Sequence, residues 1–408
     1  MTNDQHKLAF FRQSGWMMFA TVVGGVLMWA VHKIAAQLPI AEYGIFTTLL
    51  QILNLMGIPA AGLQTVFAQQ AAAAVTEERQ RQLAGTLFGV LRGTFLIWLC
   101  IAVVSLIFKR DLLIQLKIDN PSALWITVFI GLAALWFPIV QGLLQGRQDF
   151  LWMGWSLIAN GAGRFLSVAV IVLVLGGLAA GAMTGALLGM IVAIGLGAWQ
   201  IRPLCRQSRL PFAWRPWLAR VVPLTLGTGT CMFMLSADMI IVQSHFDKNT
   251  TGLYAAAGMI GRGLVFFTIP LTAVMFPKIV RSAARAEKTD VLALALGATA
   301  LTGGMAALGC TLFPWLPLRI IYKASFLSIA PLVPWFAWGM LPLTLANVLV
   351  SNLLARSQFA AVPWLMLVAV AYGVALYYCP HSFTAVAQTL GVFNLILLAV
   401  AAWFTWMV

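Results

Sequence analysis

The sequence predicts an all-α polytopic membrane protein of twelve transmembrane helices arranged as two parallel six-helix lobes. Three observations carry that expectation. Of 408 residues, 62% are hydrophobic and only 9% charged, against roughly 25% charged in an ordinary soluble domain. Twelve long stretches with few or no charges can be drawn along the chain, close to the ~20 helical residues that cross an apolar core of ~30 Å. The two halves also share motifs at an offset near half the length.

The first stretch, 15–38, follows His6, Lys7 and Arg12. At about 24 residues it is too long for a signal core and has no small-x-small exit, so it reads as an uncleaved first helix. Stretches 43–68, 83–108, 123–145, 153–175 and 179–200 complete the first lobe, residues 1–200. A basic cytoplasmic linker, 201–220, leads into the second lobe, 221–408, with stretches 221–243, 252–276, 291–314, 329–354, 362–379 and 383–408. Backbone polar groups must be satisfied inside lipid, and runs this long and apolar favour helices over barrel strands. In the sixth stretch Gly181, Gly185, Gly189, Ala193 and Gly197 recur every four residues, a small-residue face suited to close helix packing.

At an offset of 208, Gly44-Ile45-Phe46 aligns with Gly252-Leu253-Tyr254, Val66 with Val274 and Gly89 with Gly297. At 210, Leu143-Leu144 aligns with Leu353-Leu354, each pair followed by arginine, glutamine and phenylalanine (Arg147, Gln148, Phe150; Arg356, Gln358, Phe359), with a one-residue slip. A six-plus-six duplication follows. Because six is even, both halves enter from the same side, so the repeats are parallel and leave a cleft suited to alternating access.

Lys and Arg number 25 against 11 Asp and Glu, a formal net charge of +14. With the N-terminus inside, fifteen of the 25 fall in the tail and inner loops, seven near the outer ends and three inside helices. The positive-inside rule then places both termini in the cytoplasm. The loops are short, no GxxxxGK[ST], HExxH or GxSxG run occurs, and the five cysteines are scattered. Neither a cofactor nor a metal is therefore expected, and no enzyme activity. The linker arginines Arg202, Arg206 and Arg209 read as topology determinants facing anionic lipid rather than nucleic acid.

Arg92, Arg164, Arg262 and Asp238 fall well inside the expected helices. At 1.5 Å per residue the three arginines lie near the midplane, where a charge costs at least ~2.5 kcal/mol and marks a substrate or ion path by default. A cationic cavity that holds an anionic group such as phosphate is the reading, since the guanidinium fork suits bidentate contacts. Asn160, four residues before Arg164, shares its face and joins the candidate substrate-binding set. Asp238 cannot neutralise all three cations; it is either an ion or proton coupling site or the partner of a nearby arginine. His32 and Lys33 lie near the outer end of the first helix, where the lysine stem would snorkel to the interface.

These residues carry a resemblance. Leu38-Pro39-Ile40-Ala41-Glu42-Tyr43-Gly44-Ile45-Phe46 resembles a signature of polysaccharide transporters in the multidrug/oligosaccharidyl-lipid/polysaccharide (MOP) superfamily. Asp238-Met239-Ile240-Ile241 with Thr251 to Ala257, Pro270 and Phe276-Pro277 resembles its helix seven and eight pattern, and Gln141 to Gly146 with Phe150 its helix four exit. The resemblance covers the whole chain. It implies a MATE/MOP-like fold and a Wzx-type flippase in the bacterial inner membrane, turning a polyprenyl-pyrophosphate-linked oligosaccharide toward the periplasm. The repeat unit would serve O-antigen, capsule or exopolysaccharide. Partners would be the lipid-linked anionic oligosaccharide, membrane lipids, and glycan polymerase and chain-length proteins, with no nucleic acid. The chain is short for the superfamily and lacks the extra helix pair of the lipid II flippase branch. The rivals are a MATE-like multidrug or metabolite antiporter, which would want several intramembrane carboxylates, and a membrane enzyme of glycan assembly, which would want a catalytic loop.

Overall fold

The computed structural model describes residues 3–265, 291–378 and 382–407, and every regular element among them is helical. The first half runs α1 (Asn3–Ala35), α2 (Ile40–Met56), α3 (Ala60–Ala73), α4 (Glu77–Ile107), α5 (Lys109–Gln115), α6 (Pro121–Gly146), α7 (Phe150–Ala169, closing in a π turn at Val170–Val174) and α8 (Ala179–Cys205). The second runs α9 (Trp214–His245), α10 (248–265), α11 (Val291–Leu312), α12 (Trp315–Ile321), a 3-10 stretch Ala324–Leu332 leading into α13 (Val333–Ala355), α14 (Val362–Tyr377) and α15 (Phe383–Trp406). Ten spans are long and apolar enough to cross a membrane, and α2 with α3 make an eleventh as one bent span. The expected eighth helix, 252–276, is helical through 265 and its remainder lies outside the described residues. The count among the described residues is therefore ten or eleven, not twelve.

The second expected helix, 43–68, is not straight. It breaks at residues 57–59 with a 42° bend between α2 and α3. Pro59 has no N–H to donate, and its ring would clash with the Leu55 carbonyl in a continuous helix. The segment expected as a linker, 201–220, is helical through Cys205 and again from Trp214, so only 206–213 lies outside helix. Side chains set several helix starts. Thr76 accepts from Arg79 N at 3.4 Å ahead of Glu77 and Glu78, and Asn120 accepts from Ser122 N at 3.0 Å with Pro121 in the first turn. Each supplies an acceptor or negative charge to orphan N–H groups.

The internal duplication is visible in the geometry. Both α2 and α10 begin 208 residues apart, at 40 and 248, and both halves carry a seven-residue helix, α5 and α12, after a long one. The ends of α6 and α13 are built alike. Gln148 and Ser357 take left-handed φ values of 59° and 58°, and Asp149 N and Gln358 N each donate back to Leu144 O and Leu353 O at 2.9 Å. This is a Schellman-type closure. It fixes the local offset at 209, pairing Leu144 with Leu353, Arg147 with Arg356 and Phe150 with Phe359. The slip in the sequence alignment disappears: Gln148 matches Ser357, and Gln358 matches Asp149.

The chain clusters into two compact units. The first holds Met1–Ala35, Pro59–Ile114 and Ile118–Thr225; the second holds Ala36–Ile58, Gln115–Lys117 and Leu226–Val408. This division differs from a cut at the linker, because the chain changes unit at the α2–α3 break and again inside α9. In the second unit α2 packs on α10 through repeat-equivalent glycines: a Cβ on Gly44 would lie 3.0 Å from Gly252 N, and one on Gly252 would overlap the Ile40 carbonyl oxygen. Residues 115–117 dock at the end of α9, where Gln243 Nε2 donates to Leu116 O at 2.8 Å and Lys117 Nζ donates to Phe246 O. A cation suits a helix C-terminus. Partial burial there pushes the Lys117 ammonium below its ordinary value.

In the first unit α7 lies between α1 and α8. A Cβ on Gly161 would meet Gly24, and one on Gly189 would meet Asn160 O and Arg164 N, so backbones touch on both sides. The four-spaced face of α8 serves this packing: Gly181, Gly185 and Gly189 meet Ile171, Val168 and Arg164, while Gly197 meets Val140 of α6. A second glycine row, Gly85, Gly89 and Gly93 on α4, receives Leu210, Phe212 and Trp214 in turn. Two extended residues advance about 6.6 Å and four helical ones about 6 Å, so the two chains stay in step. Leu210 N donates to Arg81 O at 3.3 Å and the Arg209 guanidinium sits 3.3 Å from the Phe88 ring centroid. Gly89→Leu would drive Phe212 out of its notch at an overpacking cost of about 1–3 kcal/mol. Trypsin cleavage after Arg209 in open membranes should then be about tenfold faster.

Candidate functional site

The intramembrane charges are best built from the helices that carry them. In the second unit, Asp238 on α9 is fully buried and Arg262 on α10 is 2% exposed. Arg262 Nη2 donates to Asp238 Oδ1 at 2.7 Å and Oδ2 at 2.6 Å, and its Nε donates to Leu235 O at 2.9 Å. Tyr254 Oη donates to Asp238 Oδ2 at 2.8 Å. Tyr254, Gly258 and Arg262 are four apart and share one face of α10. Gly258 makes the room: a Cβ there would collide with Arg262 Nη1. Phe336 of α13 covers the group, with its ring 5.0 Å from that of Tyr254 and 6.0 Å from the guanidinium carbon. Two buried charges are tolerable because every carboxylate oxygen has a donor.

Arg164 in the first unit has a different environment. It is 7% exposed, and its Nε meets no acceptor among the described residues. No carboxylate pairs with it there. On α7 it follows Ser156 and Asn160 at steps of four, all three buried, so a polar stripe climbs one face of the helix. Gln141 of α6 donates to Ser156 Oγ at the foot of that stripe, and its own Oε1 meets no donor among the described residues. The stripe thus ends in a cation whose Nε has no partner among the described residues. A buried guanidinium without an anion is costly, so this position is suited to receiving a negative group.

Arg92 lies on an exposed face of α4, among Phe95, Leu96 and Leu99, which are 39%, 50% and 42% exposed. The three arginines are therefore one exposed, one buried without a carboxylate and one buried in an ion pair. His32 is buried and Lys33 exposed at the end of α1. Other amides join helices: Gln64 of α3 donates to Gln145 of α6 at 3.3 Å, and Gln51 of α2 accepts from Ser236 of α9 at 2.9 Å and, within α2, from Asn54 at 3.1 Å.

The structure adds Tyr254, Ser156 and Gln141 to the residues around these charges. The signal for the first two was helical spacing: Tyr254 lies eight residues, two steps of four, before Arg262, and Ser156 lies four before Asn160. Gln141 had no such signal, since its partner lies on another helix. Among the described residues no group of three His, Cys, Asp or Glu could hold a metal ion.

No protein family matches the sequence, and no curated protein does either. Solved structures do match over nearly the whole chain. A lipid II flippase, MurJ, in an inward closed conformation aligns at a TM-score of 0.73 and 15% identity, over 95% of this chain and 86% of that one. An inward-facing multidrug resistance MATE transporter of the MOP superfamily gives 0.68 at 13%, over 96% and 94%. A MOP superfamily transporter from Pyrococcus furiosus, described as having a binding pocket of reversed polarity, gives 0.66 at 14%, over 98% and 95%. The chain is a multi-pass membrane protein with the fold shared by these MOP superfamily transporters.

Proposed function

We propose that this protein is a flippase of the Wzx-type polysaccharide branch, moving a polyprenyl-pyrophosphate-linked oligosaccharide across the bacterial inner membrane by alternating access. The observation that carries the reading is Arg164: buried, without a carboxylate, and in line with Asn160 and Ser156. A guanidinium there offers donors to a pyrophosphate or an acidic sugar, while the lipid tail stays in the bilayer. Arg92, exposed on α4, would attract the same group, and Arg262 would act only through its pair with Asp238. The matched structures include both a lipid II flippase and multidrug transporters. The transporter from Pyrococcus furiosus, described as having a binding pocket of reversed polarity, is compatible with a cationic pocket in this fold.

An antiporter for cationic drugs would want free carboxylates in the membrane. Asp238 already has its cation. Both termini are proposed to face the cytoplasm, with a glycan polymerase and chain-length proteins as partners. The test is Arg164→Ala in a strain that depends on this protein. The expected result is loss of at least about 90% of surface glycan, with lipid-linked repeat units accumulating on the cytoplasmic leaflet at normal protein levels, as for an interaction worth about 1.4 kcal/mol or more. Arg164→Lys should recover part of the activity, because charge returns without the fork. Intact surface glycan together with new sensitivity to cationic dyes would support the antiporter instead.

A further inference from the structure

We propose that Arg262 is a built-in counter-cation that fills, with its own guanidinium, a site at Asp238 where an exchangeable monovalent cation would otherwise bind. Any ion that drives this protein then binds elsewhere. The geometry is that of a ligated cation. One turn of α9 presents three oxygens, Leu235 O, Asp238 Oδ1 and Asp238 Oδ2, and the guanidinium contacts them at 2.9, 2.7 and 2.6 Å. Tyr254 Oη, 2.8 Å from Oδ2, adds a fourth oxygen beside them. A carboxylate, a backbone carbonyl and a hydroxyl make the hard oxygen set that hard cations take.

A fully buried carboxylate must either take up a proton or keep a counter-charge beside it. An arginine supplies one that neither deprotonates nor diffuses away. Gly258 is the second part of the device, since any larger residue there would intrude on Nη1. Asp238 alone in the sequence reads equally as a coupling site; seated against Arg262, its charge is already spent. The inference concerns cation binding and does not depend on the identity of the transported substrate.

The full-length protein, purified into lipid nanodiscs, tests it by thermal unfolding in sodium chloride against choline chloride at equal ionic strength. The wild type should show no sodium effect on Tm. Arg262→Met should show a rise of at least about 2 °C with sodium, or a comparable rise as pH falls, because either neutralises the exposed carboxylate. Both responses should vanish in Arg262→Met/Asp238→Asn, and Arg262→Lys should behave as the wild type. If Arg262→Met does not accumulate, Gly258→Ala, whose methyl displaces Nη1, should give the same responses at smaller amplitude. A sodium-dependent Tm in the wild type that Asp238→Asn removes would overturn the proposal. So would a displaced-guanidinium variant indifferent to both sodium and pH.

Discussion

Asp238→Asn is expected to destabilise the protein by about 3–5 kcal/mol, because it strands the Arg262 guanidinium without its anion in a site that water does not reach. The neighbouring groups give no substitute: Leu235 O takes only Nε, and Tyr254 Oη, at 2.8 Å, is itself a donor to the lost carboxylate. Arg262→Met should cost a similar amount for the mirror-image reason. The double variant should recover most of the loss, since removing both charges removes both desolvation penalties. Denaturant or thermal unfolding of the four proteins forms the cycle. Additive losses in the double variant would show that the two residues act separately.

Gly252→Val is expected to be comparably severe, at the top of the roughly 1–3 kcal/mol range for overpacking or beyond it. The cause is local. A Cβ at 252 overlaps the Ile40 carbonyl oxygen, and backbone cannot rotate away as a side chain does. The same change at the repeat-equivalent position, Gly44→Val, places its Cβ 3.0 Å from Gly252 N and should cost less. Reversing that order in measured Tm values would mean that α2 and α10 approach differently from the geometry described.

Much of the fold was legible because its causes are short-range. A helix start needs Thr76 or Asn120 and the residues just after it. The small face of α8 is a four-residue periodicity, and it does pack against α7 and α6. The bend at 57–59 was equally local, since Pro59 announces it, yet an apolar run of continuous hydropathy concealed it. The strap over Gly85, Gly89 and Gly93 was not legible. Each glycine is unremarkable until a segment more than a hundred residues later lies in its notch. The offset of the second repeat match was also ambiguous in letters, and two left-handed residues, Gln148 and Ser357, resolved it.

The site divides in the same way. Sequence alone determined that three arginines and one aspartate sit at depth within apolar helices, because depth along a helix is a one-dimensional quantity of 1.5 Å per residue. It also determined the excess of cations over acids. Only the tertiary structure decided how those equal-looking arginines differ. Pairing depends on which face of which helix meets another across 24 residues of chain, as for Arg262 and Asp238. Burial depends on neighbours, which leave Arg92 exposed and enclose Arg164 without an acid. The physical reason is that a charge's cost in a membrane is set by its partners in space, and spacing along the chain records only those partners that lie on the same helix.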